Sequence, residues 1–160
     1  MSLRGATAVP APRIDWTRLS IGLALLMLVY FTITNHVDLY PLNNLGPAGP
    51  QWPSTLAGWI QFVIFIALMA TRRRLAVLAA LVIAVVWISL QFRQWYFPYL
   101  FNIGPVDWYF HHGYADTLKV LPPIPGHAVT PDLQHNLLQL LSLSVAAAAI
   151  MAVRQSFWRA

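Results

Sequence analysis

The sequence predicts an all-α, polytopic membrane protein. Its expected form is a four-transmembrane-helix bundle with a long aromatic, histidine-rich extracytoplasmic loop capping it between helices 3 and 4. Three observations predict this. Of 160 residues, 58% are hydrophobic and only 9% are charged, whereas an ordinary soluble domain is about 25% charged. Four long apolar runs carry no Asp, Glu, Lys or Arg. The bases cluster so that, once the runs are threaded through a bilayer, almost all lie on one side. A soluble globule of this size would need charged stripes on its helices, and 13% aromatic content is foreign to a disordered chain. Cysteine is absent, which excludes disulfide scaffolds, thiolate zinc sites and iron–sulfur clusters.

Residues 1–16 read as a basic, Pro- and Ala-containing cytoplasmic tail, expected to be disordered, ahead of a single domain over 17–160. The first span covers 19–35. No small-residue cleavage pattern follows it, so it reads as an uncleaved span rather than a signal peptide. In the following loop, 36–55, Asn43-Asn44-Leu45-Gly46 and the nearby prolines are turn chemistry. The second span, 56–71, is short against the roughly 20 residues that hydrocarbon requires. Trp52, Pro53 and Trp59 extend it into an interfacial aromatic belt. Arg72-Arg73-Arg74 forms a tight turn into the third span, 75–92 or somewhat beyond. A long loop over 93–134 leads to the fourth span, 135–153.

Lys and Arg are retained on the cytoplasmic side. Arg4, Arg13, Arg18, Arg72, Arg73, Arg74, Arg154 and Arg159 fall on one side, and Arg93 and Lys119 on the other. Both termini are therefore expected in the cytoplasm, with the protein in the plasma membrane and both long loops outside. The arginines need no further role. Contact with anionic lipid follows from them, and nucleic acid is not an expected partner.

This threading sorts the remaining polar residues. All five histidines, with Asp38, Asp107, Asp116 and Asp132, lie in the outer loops or at the outer ends of spans, and only Asp15 is cytoplasmic. Within the spans, Thr32, Thr34, Asn35, Gln61, Gln91, Asn136, Gln139 and Ser142 all sit in the outer halves. Polar groups in hydrocarbon favour a bundle interior or wet cavity, so a polar chamber opening outward is expected. Asp132, His135, Gln139 and Ser142 share one helical face by their spacing. Thr130 is the expected N-cap, Pro131 the first helical residue, and Asp132 complements the helix dipole in the first turn. Capping alone accounts for Asp132, but not for His135 or Gln139.

The 93–134 loop contains Trp95, Tyr96, Phe97, Tyr99, Phe101, Trp108, Tyr109, Phe110 and Tyr114. Two accounts compete: an interfacial belt, or a lid over the bundle mouth that shields a lipophilic ligand. Its catalytic candidates are His111, His112, Asp116, His127, Asp132 and His135. Without thiolate, imidazole and carboxylate suit Zn, Fe, Mn or Cu, and His111, His112, His127, His135 and Asp132 are the candidate ligands of a divalent transition metal. No H-E-x-x-H motif is present, and the membrane-desaturase type of His box is incomplete. The metal-free alternative is a histidine oriented by an aspartate, titrating near pH 6.5. For a single histidine, a structural hydrogen bond or headgroup contact competes with either.

His36, Gln91, Gln139, Trp95, Trp108, Tyr109 and Tyr114 are the candidate substrate contacts. Ser54, Ser89 and Ser142 offer hydroxyls without a hydrolase signature around them. The leading expectation is an integral membrane enzyme, metal-dependent or acid–base, acting on a hydrophobic or lipid-like substrate. The rival is a non-catalytic accessory or assembly subunit that docks on a larger membrane complex, or on further copies of itself, through the aromatic loop.

Overall fold

A computed structural model describes residues 14–46, 49–104, 114 and 116–158. Its order is α1 (Trp16–His36), α2 (Trp52–Ala70), α3 (Arg74–Gln91), a π-helical turn (Phe92–Tyr96), α4 (Phe97–Phe101) and α5 (Leu133–Trp158). Among the described residues there is no strand, only an isolated bridge between Lys119 and Asp132. Four helical stretches are long and apolar enough to cross a membrane: Trp16–His36, Trp52–Ala70, Arg74–Phe101 and Leu133–Trp158. The tail over 1–13 lies outside the described residues.

Each element has a local cause. The Asp15 carboxylate caps α1 by accepting from the Arg18 N–H at 3.1 Å. Pro53 opens α2, where a missing N–H costs nothing. At the far end of α1, Asn43 is fully buried, and its amide donates to the Thr34 and Val37 carbonyls left open by the helix end. The third helix runs further than expected. Residues assigned to a loop from 93 remain helical to Phe101, and the chain leaves the helix at Asn102, in a left-handed conformation at φ 52°. Pro98 explains the intervening wide turn. It has no N–H to donate and its ring would crowd the carbonyl four residues back, and the π turn relieves that crowding while the helix continues.

The helices form a square in which α1 packs on α2 and α5, and α3 packs on the same two neighbours. The faces are the reverse of a soluble bundle. Leu25, Leu26 and Val29 of α1, Ile60 and Val63 of α2, and Val82 and Val85 of α3 point out of the bundle. Inside, small residues such as Ala24, Ala80, Ala84, Ala149 and Ala152 allow close approach around Met27, Phe62, Phe65 and Met69. An apolar exterior over a small-residue interior is the packing expected in lipid, where close van der Waals fit replaces hydrophobic exclusion. The tightest seam is Gly58 against Phe31: a Cβ on the glycine would lie 2.6 Å from the phenylalanine ring.

The start of α1, the last turns of α5 and the α2–α3 turn meet at one end of the bundle. Arg72, at φ 55°, places its guanidinium 2.9 Å from the Asp15 carboxylate, and Arg18 lies 3.4 Å from the same oxygen. Hydrogen bonding by the Arg18 N–H, opposed by slight burial and aided by the Arg72 guanidinium, holds the Asp15 carboxyl below its usual range. Gln155 of α5 completes the clamp, accepting from the Trp16 N–H at 3.3 Å and donating to the Ile14 carbonyl at 3.1 Å.

Candidate functional site

The opposite end carries His36, Asn35, Gln51, Gln91 and His135. Here α5 begins two residues later than the sequence suggests, at Leu133. Asp132, not Thr130, is the N-cap: its backbone is tied in the extended bridge to Lys119, its carbonyl accepts from the Asn136 N–H at 3.0 Å, and its side chain accepts from the His135 N–H at 2.8 Å. Pro131 therefore precedes the helix.

The same carboxylate oxygen, Oδ1, lies 2.7 Å from His135 Nδ1, while Oδ2 accepts from the Thr117 hydroxyl at 3.0 Å. Asp132 is 1% exposed and His135 8%. Burial pushes the Asp132 carboxyl up, but the imidazole beside it and the hydrogen bonds from His135 and Thr117 outweigh that, leaving it below its ordinary value. An ionised Asp132 can only accept, so Nδ1 donates to it, and in the neutral form of the ring Nε2 carries the lone pair. The ring is held against Trp95, centroids 3.5 Å apart and planes 33° from parallel, and edge-on to Tyr114 at 4.9 Å. Trp95 is placed by the π turn.

Behind Asp132 the polar chain continues. Lys119 Nζ donates to Thr117 Oγ1 at 2.8 Å and to the Thr117 and Tyr114 carbonyls. Burial lowers the Lys119 pKa, and the charges of Asp132 and Asp116 offset part of that. Asp116 is itself exposed.

His135 lines a cavity of about 270 Å³ between the helices. Its walls are aromatic, from Phe31, Trp87, Trp95 and Tyr114, and its polar groups are mostly amides: Asn35, Gln51, Gln61, Gln91, Gln94 and Gln134. Among the described residues, no Asp, Glu, Lys or Arg lines it. The walls are well fixed. Trp87 stands edge-on to Phe31 at 5.5 Å and to Phe62 at 5.1 Å, and donates to Ser142 Oγ at 3.0 Å; Ser142 in turn donates to the Leu138 carbonyl at 2.7 Å. Tyr30 of α1 donates to the Gln134 carbonyl at 3.0 Å, tying α1 to the start of α5. Gln134 is 1% exposed, yet its side-chain oxygen has no hydrogen-bond partner in the protein.

The residues singled out in the sequence therefore separate. His135, Gln91, Trp95 and Tyr114 line the cavity, and Asp132 stands behind His135. Gln139 is buried on α5 but does not line it. His127 bonds through Nδ1 to the Tyr99 carbonyl at 2.6 Å, away from the cavity lining. His36 packs against Trp52, ring centroids 4.2 Å apart with planes tilted by 55°, and bonds to Thr55 Oγ1 at 3.0 Å; because that hydroxyl already donates to the Gln51 carbonyl, His36 Nε2 is the donor. Of the three serines, Ser142 is committed to Leu138, Ser89 donates to the Val85 carbonyl, and Ser54 shares the cavity with His135. His111, His112, Trp108 and Tyr109 lie outside the described residues. Among the described residues no three His, Asp or Glu side chains come together as a metal site. Asp132 and His135 Nδ1 are engaged with one another, so Nε2 is the ligand position this pair leaves open.

Gln51, Ser54, Gln94 and Gln134 were not among the expected contacts. The signal for them is chemical: uncharged amides recurring at the edges of otherwise apolar runs. Comparison with known proteins finds no matching family model, no matching curated protein and no matching solved structure.

Proposed function

We propose that this chain is an integral membrane enzyme whose acid–base group is His135, oriented by Asp132, and whose substrate is hydrophobic or lipid-like with its polar end in the amide-lined cavity. The observation that carries this reading is the 2.7 Å contact between Asp132 Oδ1 and His135 Nδ1 at the wall of that cavity. A carboxylate that holds Nδ1–H fixes the tautomer and the ring plane and makes Nε2 the proton acceptor, which is what general acid–base chemistry near neutral pH requires. Trp95 and Tyr114 restrict ring rotation, and the low polarity of the surroundings strengthens the pair. The arginine distribution supports a plasma-membrane protein with cytoplasmic termini and an extracytoplasmic cavity.

The test is modification of the detergent-solubilised protein with diethyl pyrocarbonate, which acylates unprotonated imidazole nitrogen, followed residue by residue by mass spectrometry. His135 is expected to react in the wild type and several-fold more slowly in Asp132→Asn. An unreactive His135, or equal rates in the two proteins, overturns the assignment.

A further inference from the structure

The inner surface of the cavity selects a ligand class, an inference that rests on reading the cavity as a substrate site. We propose that it binds an uncharged, hydroxyl-rich ring, the glycosyl headgroup of a lipid or the corresponding free sugar. Three features converge on that chemistry. With no lysine, arginine, aspartate or glutamate among the described lining residues, the imidazole of His135 is the one titratable group there besides the Tyr114 phenol, and a charged phosphate or ammonium headgroup is disfavoured by its desolvation. Side-chain amides both donate and accept, as hydroxyls do, so Asn35, Gln91 and Gln134 can each pair with an O–H without leaving a polar group unmatched. Trp87 and Trp95 supply flat apolar surface for the C–H faces of a ring.

Gln134 makes the argument directional. Its side-chain amide oxygen is buried without a partner in the protein, on a residue that lines the cavity, and an acceptor so placed costs free energy until a donor reaches it. The complementary ligand atom must carry hydrogen, which an ester, ether or phosphate oxygen does not. A cavity of about 270 Å³ lies near the low end of ligand-site volumes, a space suited to a single ring.

The experiment uses the full chain in phosphatidylcholine nanodiscs doped with monogalactosyldiacylglycerol, phosphatidylglycerol or diacylglycerol, with lipid retention read by native mass spectrometry. The galactolipid is expected to be retained about tenfold over the other two, and the preference is expected to fall by about that factor in Gln134→Leu, the loss of one buried hydrogen bond. Equal retention of the three lipids by the wild type, or tighter binding of the anionic one, overturns the proposal without any variant. Methyl β-galactoside distinguishes the sources: binding as tight as the galactolipid identifies a free sugar, weaker binding that still displaces the galactolipid identifies the lipid headgroup, and no displacement overturns recognition through the ring. Gln91→Leu, at a half-buried lining position, repeats the test where Gln134→Leu fails to fold; an undiminished preference in a folded variant at either position overturns the role of the amides. Asp132→Asn separates the two readings, since it is expected to slow His135 acylation while keeping galactolipid retention.

Discussion

Asp132 Oδ1 accepts two hydrogen bonds from one residue, the backbone N–H of His135 at 2.8 Å and its ring nitrogen at 2.7 Å. Helix capping and imidazole orientation are therefore carried by the same atom, and substitutions can part them. Asp132→Asn keeps a carbonyl for the cap and removes the charge. Its folding stability is expected to fall by less than that of Asp132→Ala, which loses the cap as well, a difference of about 1 kcal/mol. Unfolding in mixed detergent micelles checks this, and equal losses would show that the cap contributes nothing.

The same pair sets a pH dependence. The Asp132 carboxyl titrates lower in the fold than in the unfolded chain, where its value is about 3.9. Its stabilisation is complete above that unfolded value and is lost as the pH falls towards the lower folded one. The thermal midpoint of the wild type is expected to exceed that of Asp132→Asn at pH 6, with the gap closing progressively below about pH 4. A gap that stays constant down to pH 3 would contradict the assignment.

Gly58→Ala is expected to destabilise by about 1–3 kcal/mol, the ordinary cost of overpacking. The new Cβ would meet the Phe31 ring at 2.6 Å, and that ring is fixed edge-on against Trp87. Gly22→Ala, with nothing within 4 Å of the added carbon, is the control and should be neutral or stabilising, since alanine is the better helix former. Thermal unfolding of the two variants side by side tests the contrast.

Ser142→Ala removes the acceptor of the Trp87 indole N–H in a buried wall of the cavity. The unpaired donor is expected to cost about 1–3 kcal/mol. Trp87→Phe in the same background should recover part of the loss, because it removes the stranded N–H; a double-mutant cycle without coupling would refute the contact.

The orientation is open to labelling because the chain has no cysteine of its own. In whole cells, Leu118→Cys, at an exposed position beside the bridge, is expected to react with a membrane-impermeant maleimide. Arg73→Cys, at the opposite end, is expected to react only after lysis. The reverse pattern would invert the topology.

The positions of the four spans were legible because charge-free apolar runs leave few alternatives, and the two ends of the bundle were legible because arginines and histidines sort between them. The extension of the third helix to Phe101 was hidden by its aromatics, which suit a membrane interface as well as a helix, and by Pro98, which a π turn accommodates. Asp132 and His135 were found by their i, i+3 spacing. Gln139 followed from the same periodicity, yet the cavity floor is formed at Leu138 and the amide falls outside it. Gln134 was missed for the converse reason: one residue from His135, it is off the face the spacing defines, and its role depends on how α1 crosses the start of α5. The amides at Gln51 and Gln94 were assigned to loops that turned out to be a helix N-cap and a helical turn.

From Lys119 to Thr117, to Asp132 and on to His135, successive contacts of 2.8, 3.0 and 2.7 Å join a connecting segment to the imidazole. The docking of that segment and the readiness of the ring are thereby one thermodynamic variable. Peeling residues 116–120 away would strip Asp132 of a hydroxyl and a neighbouring cation together, so local unfolding of that segment loosens the Asp132–His135 pair before any helix separates. The bridge segment and the Asp132–His135 pair would open as a single cooperative unit, and hydrogen exchange at the Leu118 and His135 amides should rise and fall together.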